Sequence, residues 1–390
     1  MSNPIVIVGA GLAGYNLARE LRKADPEAPI VIVSRDAAGF YSKPMLSNAL
    51  AGKKTAASLV MKAAEKMAEE LKARVLSRTS VEQVDAASRT VTLSTGEVLA
   101  YRDLVLALGA DQIRLPLQGD AAQTVVSVND LEDFAAFADA LDKGPAGEPV
   151  KRVAILGAGL IGCEFANDLL HRNITATVFD IADRPLARLL PEAASARLQK
   201  ALEAGGTVFK LGTSVTAVDR ADGALRLTLS DGSQLETDLV VSAIGLKPRT
   251  GLAELAGAEI ARGVRVDREM ATSVPHVYAL GDCAEVESLL LPYVMPLMQQ
   301  ARALAATLAG KRTAVAYPAM PVMVKTPACP TVVCPPSAGA EGSWQVVETD
   351  ESLEARFVSA TEPERMLGFV LQGKATAQRQ AWAAQTPALL

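Results

Sequence analysis

The spacing Gly-x-Gly-x-x-Gly occurs twice in this sequence, as Gly9, Gly11 and Gly14 within IVIVGAGLAG and as Gly157, Gly159 and Gly162 within VAILGAGLIG. Glycines at this spacing can cradle a pyrophosphate. The first makes a tight turn, the second lets backbone approach the phosphates, and the third lets a helix close against a strand. Ala10 and Leu12 in one copy, and Leu160 and Ile161 in the other, stand in or just beyond the turn, where the N–H groups of a helix start present positive charge to an anion. Each copy therefore needs a strand before it and a helix after it. The apolar runs ahead of the glycines, and the stretches YNLARELRKA and CEFANDLLHR behind them, meet that need. Either the chain binds two dinucleotides, or one copy of a repeat has lost its ligand.

What each turn binds depends on the end of the next strand, where an acid usually takes the ribose hydroxyls. The second unit ends TATVFD and puts Asp180 in that place. A carboxylate there accepts from a 2′-hydroxyl and repels a 2′-phosphate, so this site should prefer NAD(H) to NADP(H). The first unit ends PIVIVS, with Ser34 where the acid belongs and Arg35 and Asp36 after it, which leaves the ribose contact to Ser34 or Asp36. Two buried-type strands ending in glycine, in LVLALGA (104–110) and LVVSAIGLKPRT (239–250), suit crossings between two nucleotide units. Ala107, Gly245 and, earlier, Val81 join the expected cofactor lining. The later YALGD ends a strand at Gly281 and Asp282 and brings a carboxylate to the floor of the first site.

Composition allows this and excludes much else. The 390 residues suffice for two or three domains, since single cores stop growing at about 250–300 residues. With 49% hydrophobic residues, 21% charged and a net charge of −5, the chain is globular and poorly suited to nucleic acid or an anionic membrane. The run Ile5–Val8 is too short for a secretory signal. No apolar run approaches the ~18 residues of a membrane helix, so no integral membrane segment is expected. Cys163, Cys283, Cys329 and Cys334 make neither a Cys-x-x-Cys pair nor a metal cluster. A reduced, cytoplasmic, metal-free chain is the expectation. With only His171 and His276 in the chain, acid–base chemistry centred on histidine is not expected, and His171 should face solvent at a helix end.

From Ile5 to about Thr313, the order of these motifs resembles that of two-dinucleotide flavoprotein reductases. The resemblance implies FAD in the first cradle, NAD(P)H in the second, and YALGD returning to the FAD. It also implies a fold class: α/β, two Rossmann-like domains with the NAD domain inserted into a discontinuous FAD domain, and a small C-terminal α+β domain. The implied bounds are residues 1–115 and 246–316 for the FAD domain, 116–245 for the NAD domain and 317–390 for the C-terminal domain. Where disulfide reductases of this kind carry a cysteine pair, this chain reads FYSKPMLSNAL (40–50), which excludes a thiol relay.

Within that group, YSKPMLS, GLIGCEFANDL, YVMPLM and VKTPACP resemble the rubredoxin reductases. These pass electrons from NADH through FAD to rubredoxin, a small iron protein, as in alkane hydroxylation or oxidative-stress chains. Reductases of flavorubredoxin or of a ferredoxin are the alternatives, the latter usually with a longer C-terminal domain and an RPPLSK-like segment. A flavin-bearing sensor without turnover is the non-enzyme alternative. The resemblance implies a cation at the flavin from Lys43, Glu164 at the nicotinamide entrance and paired with Lys43, and Lys325 as a second base. Proline favours a first helical position and glycine a helix end, so a helix should open at Pro296 and stop at Gly310, aimed at the flavin with Val294 N–H as a donor. Cys329 and Cys334 should only pack. WQVVE and RMLGFVLQG should be strands, with a helical tail over 374–385. An acidic acceptor would dock on Arg114, Lys53, Lys54, Arg302, Lys311 and Arg312. Nothing in the sequence chooses between monomer and dimer.

Overall fold

The structure, a computed structural model, describes residues 3–390. IVIV occurs at Ile5–Val8 and again at Ile30–Val33, with every residue buried. Strands that are apolar on both faces belong inside a parallel sheet covered by helices. The first sheet runs, in spatial order, Val277–Ala279, Asp103–Leu106, Ile5–Val8, Ile30–Val33 and Arg74–Leu76, all parallel. A second parallel sheet follows the same plan with Leu239–Ser242, Arg152–Leu156, Thr175–Asp180 and Val208–Leu211. This is the expected doubly wound α/β fold.

The repeat extends beyond the glycine turns. Each unit carries a three-stranded antiparallel meander, Val81–Asp85, Thr90–Leu93 and Val98–Ala100 in one, and Val215–Ala221, Ala224–Leu229 and Gln234–Thr237 in the other. The sequence reading did not place these meanders. Strands such as VEQVD are short and largely exposed, so their alternation is weak. The two crossings between the units lie side by side, because Ala110–Gln112 pairs antiparallel with Leu246–Pro248.

The helix Val294–Leu308 packs against Leu12–Ala24 in the first unit. It begins earlier than expected. Tyr293 is its N-cap, so Pro296 is the third helical residue, where a missing N–H still falls among the donors that have no intrahelical partner. Gly310 (φ +93°) follows its end. The C-terminal sheet is antiparallel, ordered Val322–Val324, Thr331–Cys334, Met366–Gly373, Ser352–Ser359 and Gly342–Glu348. Its helical tail begins as a 3-10 turn, Lys374–Gln378, and continues as Arg379–Gln385. Among the described residues no helix is long and apolar enough to cross a membrane.

Candidate active site and cofactor cradles

The two glycine turns are built alike. Gly9 (φ +119°) and Gly157 (φ +106°) adopt backbone that a side chain would strain, and an added Cβ would lie 2.2 Å from the Ala107 carbonyl oxygen or 2.8 Å from that of Ala243. A Cβ on Gly14 or Gly162 would sit 1.9 Å from the carbonyl oxygen of Gly9 or Gly157, so helix and turn touch directly. Gly11 and Gly159 differ from these. A Cβ on either meets nothing within 4 Å, so the protein itself does not require glycine there. Both are helix N-caps without a side-chain hydrogen bond, and neither helix has an acid in its first turn. The N–H groups at each helix start are thus left for an external anion, and the space a Cβ would fill is the space a pyrophosphate needs. Both cradles fit a dinucleotide.

The strand ends separate them. Asp180 accepts from Ala158 N–H at 2.7 Å and from Ala182 N–H at 2.8 Å, which fixes its carboxylate at the mouth of the second cradle. In the first unit, Ser34 Oγ donates to Asp36 Oδ1 at 2.7 Å, and Ala38 N–H donates to the same oxygen at 2.8 Å. Asp36 is thus partly engaged in shaping its own turn. Arg35 is exposed and lies 3.9 Å from Asp111. Ala107 lies directly under Gly9 and Val81 is buried at the head of its meander. Gly245 (φ +118°) accepts from Ile113 N–H at 3.1 Å.

At the floor of the first site, Gly281 N–H donates to Gln300 Oε1 at 2.7 Å, and Gln300 Nε2 donates to Tyr317 Oη at 2.8 Å. Burial pushes the Asp282 carboxyl above its ordinary range, against the pull of Lys43 and Arg249. Lys43 opens the 3-10 helix Lys43–Asn48, and its ammonium donates to Asn129 Oδ1 at 2.6 Å. Burial lowers its pKa, and Asp282 is the strongest opposing charge.

The expected pairing of Glu164 with Lys43 is not formed. Glu164 is fully buried and forms its ion pair with Lys325; it also accepts from Lys325 N–H at 2.8 Å and from Ser47 Oγ at 2.5 Å. The reason lies in the 3-10 helix. Its first residue, Lys43, reaches Asn129, whereas its fifth, Ser47, meets the nucleotide helix. Lys325 comes from the C-terminal domain, so three segments of the chain meet on one carboxylate.

The helix Leu160–Leu170 buries Gly162, Cys163 and Phe165 together with Glu164, Asn167 and Asp168. Polar groups survive such burial only when bonded. Asp168 accepts from Leu50 N–H and Ala51 N–H, each at 2.9 Å, and Asn167 Oδ1 accepts from Ala328 N–H at 3.0 Å. Sequence reasoning missed Ser47, Asn129, Asn167, Asp168, Arg249 and Gln300. For Asn167 and Asp168 a signal was present: in LIGCEFANDLL three polar residues share one helix face at i, i+3 and i+4 among apolar ones.

All four cysteines are buried and unpaired. Burial pushes the thiols of Cys163 up to about 12 and those of Cys283 and Cys334 up to about 11, which keeps them protonated and inert. His171 is the exposed C-cap of its helix. Among the described residues no cluster could hold a metal ion. Lys53, Lys54, Arg114 and Arg302 are exposed. Lys311 and Arg312 are exposed as well. They follow the far end of the 15-residue helix Val294–Leu308, about 22 Å from its start, and Arg312 pairs with Glu269 at 2.7 Å.

Residues 3–307 match the pyridine nucleotide-disulphide oxidoreductase family, and residues 314–386 match a domain described as the rubredoxin binding C-terminal domain. The rubredoxin-NAD(+) reductase of Alcanivorax borkumensis is 47% identical over 389 residues, covering all of both chains. A nitric oxide reductase FlRd-NAD(+) reductase of Aeromonas salmonicida is 38% identical, over 96% of this chain and 94% of that one. Among solved structures, the ferredoxin reductase of the CYP199A2 system from Rhodopseudomonas palustris superposes with a TM-score of 0.88 at 26% identity, covering 99% of this chain and 96% of that one.

Proposed function

The chain belongs to the pyridine nucleotide-disulphide oxidoreductase family, and from that premise we propose that it is an NADH-dependent FAD flavoprotein that reduces rubredoxin. A bound flavin supplies the one capacity side chains lack, taking two electrons as a hydride and releasing them singly. The protein's own residues do the rest. Gly9, Ala10, Gly11, Leu12 and Gly14 hold the FAD pyrophosphate, Ser34, Arg35 and Asp36 face its ribose, and Val81, Ala107, Gly245, Gly281 and Asp282 line the remainder. Lys43 and the N-terminus of the helix at Val294 supply positive charge where negative charge develops. Gly157, Gly159, Leu160, Ile161 and Gly162 hold the NADH pyrophosphate, and Asp180 selects NADH over NADPH. Glu164, fully buried and held by Lys325 and Ser47, backs the nicotinamide site rather than lining its entrance.

The observation that carries this reading is the pair of cradles, alike in their turns and open at Gly11 and Gly159, in a chain whose thiols are buried and held protonated. The second cradle argues against a mere sensor, which needs no hydride donor. Buried thiols argue against a disulfide as acceptor. The match over residues 314–386 and the greater identity to the rubredoxin-NAD(+) reductase favour rubredoxin over flavorubredoxin or a ferredoxin. Four unpaired thiols support a cytoplasmic setting. Anaerobic stopped-flow mixing tests the proposal: NADH should bleach the flavin, and subsequent rubredoxin should restore its colour, whereas flavorubredoxin or a ferredoxin reacting faster would reassign the acceptor.

A further inference from the structure

We propose that Asp168 is a positioning residue that latches the Lys43 segment to the nucleotide helix, so that the cation beside the first cradle and the floor of the second keep one fixed relation. The inference rests on the hydride-transfer reading above. Its basis is geometric. The helix Leu160–Leu170 starts at Gly159, inside the second cradle, so whatever is fixed to that helix is fixed relative to the pyridine nucleotide. Asp168 lies more than two turns along it and is 2% exposed. Both of its carboxylate oxygens are used, one on Leu50 N–H and one on Ala51 N–H. These amides follow the 3-10 helix that Lys43 opens, in a turn whose own bonds run from Lys53 N–H to Leu50 O and from Lys54 N–H to Ala49 O.

Apolar packing alone could bring the two segments together, since Leu46, Ala49 and Leu50 already share a buried cluster with Phe165 and Leu169. Such packing is non-directional. Two parallel N–H bonds to one carboxylate fix direction and register as well. Glu164 and Asn167 extend the same face to Ser47, Lys325 and Ala328. The latch therefore joins the nucleotide helix to the flavin-side segment through Asp168 and to the C-terminal domain through Asn167, with Glu164 touching both.

The test is Asp168→Asn, an isosteric change that leaves one acceptor and turns an amide donor toward an N–H. Three readouts are taken on holoprotein: amide hydrogen exchange across residues 43–54, the flavin midpoint potential, and the KM and kcat for NADH. Exchange at Leu50 and Ala51 should rise, the potential should become more negative as Lys43 loses its place, and kcat with NADH should fall roughly tenfold with KM little changed, because misorientation of the reacting groups lowers rate. Asp168→Glu, which keeps both acceptors on a longer arm, should restore at least half of the amide protection, and it carries the test if the first variant does not fold. A purely structural role would lower the melting temperature and leave the potential and kcat of the folded protein as in the wild type, and that result would overturn the latch. Wild-type protein that NADH does not reduce would instead remove the functional reading, and the latch with it.

Discussion

The two nucleotide units share their backbone and differ at their edges. Gly9 and Gly157 have similar positive φ, a Cβ on Gly14 or Gly162 would meet the turn carbonyl at the same 1.9 Å, and the strand beside each central strand is introduced by Asp-Leu-Val, at Asp103 and at Asp238. Beyond this core the units part. The first helix, Leu12–Ala24, is amphipathic and ends in Arg22, bonded to the carbonyls of Leu71 and Pro26, and in exposed Lys23, whereas Leu160–Leu170 is enclosed on nearly every side. Asp180 reaches back to its glycine turn, and Asp36 does not. Turn geometry thus decides that a dinucleotide binds, and the surrounding side chains decide which one and what it can reach.

The sharpest way to break the comparison is at the glycines that the protein itself requires. Gly9→Ala places a Cβ 2.2 Å from backbone at φ +119° and should cost upwards of ~3 kcal/mol, giving colourless protein with a greatly lowered melting temperature. Gly159→Ala has open space, so that variant should fold, stay yellow and lose only affinity for NADH, raising its KM roughly tenfold, or about 1.4 kcal/mol. Equal losses of folding in the two variants would contradict the distinction between steric and ligand-imposed glycines.

A second contrast concerns the enclosure of the second helix. Glu164→Ala strands Lys325 and Ser47 in the junction of three segments. Chemical denaturation should show a loss of about 2–3 kcal/mol, less than for a wholly buried pair because the Lys325 side chain is 26% exposed. Asp180→Ala should narrow the preference for NADH over NADPH by about tenfold, the worth of one charged hydrogen bond, and cost about 1–2 kcal/mol of stability because Ala158 N–H and Ala182 N–H lose their acceptor. A variant that discriminates as well as the wild type would place the ribose contact elsewhere.

The smallest effect belongs to the repeated acids at the sheet's other end. Asp103 pairs with Arg102 and His276, whereas Asp238 accepts from Lys151 N–H, Arg152 N–H and the Arg152 guanidinium. Burial opposes the charge on Asp238, but Arg152 and the two amides prevail and hold its pKa below the usual carboxylate value. A depressed native pKa adds stability that is present above the unfolded value and lost as pH falls through the native one. Asp238→Asn should therefore destabilise by about 1 kcal/mol near neutrality, and the difference from wild type should shrink on acidification. A difference that grows as pH falls would reverse the assignment.

What could be read in advance follows the strength of the local signal. Glycine turns, apolar strands and Asp180 announce themselves because each is required within a few residues of chain. The meanders were missed although Thr90–Leu93 and Ala224–Leu229 alternate apolar and polar residues, because their outer strands, such as Val81–Asp85 and Val98–Ala100, are short and largely exposed and carry little periodicity. The Glu164–Lys43 pairing failed for a different reason. Partner choice depended on the 3-10 helix turning Lys43 toward Asn129 and Ser47 toward Glu164, and on a strand 161 residues away delivering Lys325. Long-range partners of buried polar groups are set by tertiary packing, which spacing along the chain does not record.

The central claim is that electrons enter at the second cradle and leave the first for a one-electron carrier without passing through a thiol. Anaerobic stopped-flow spectroscopy of NADH-reduced protein, mixed in parallel with oxidised rubredoxin and with a low-molecular-weight disulfide, tests it most directly. The account predicts fast recovery of flavin colour with rubredoxin, two equivalents consumed per flavin, and no recovery with the disulfide. Fast reoxidation by the disulfide with rubredoxin inert would contradict it.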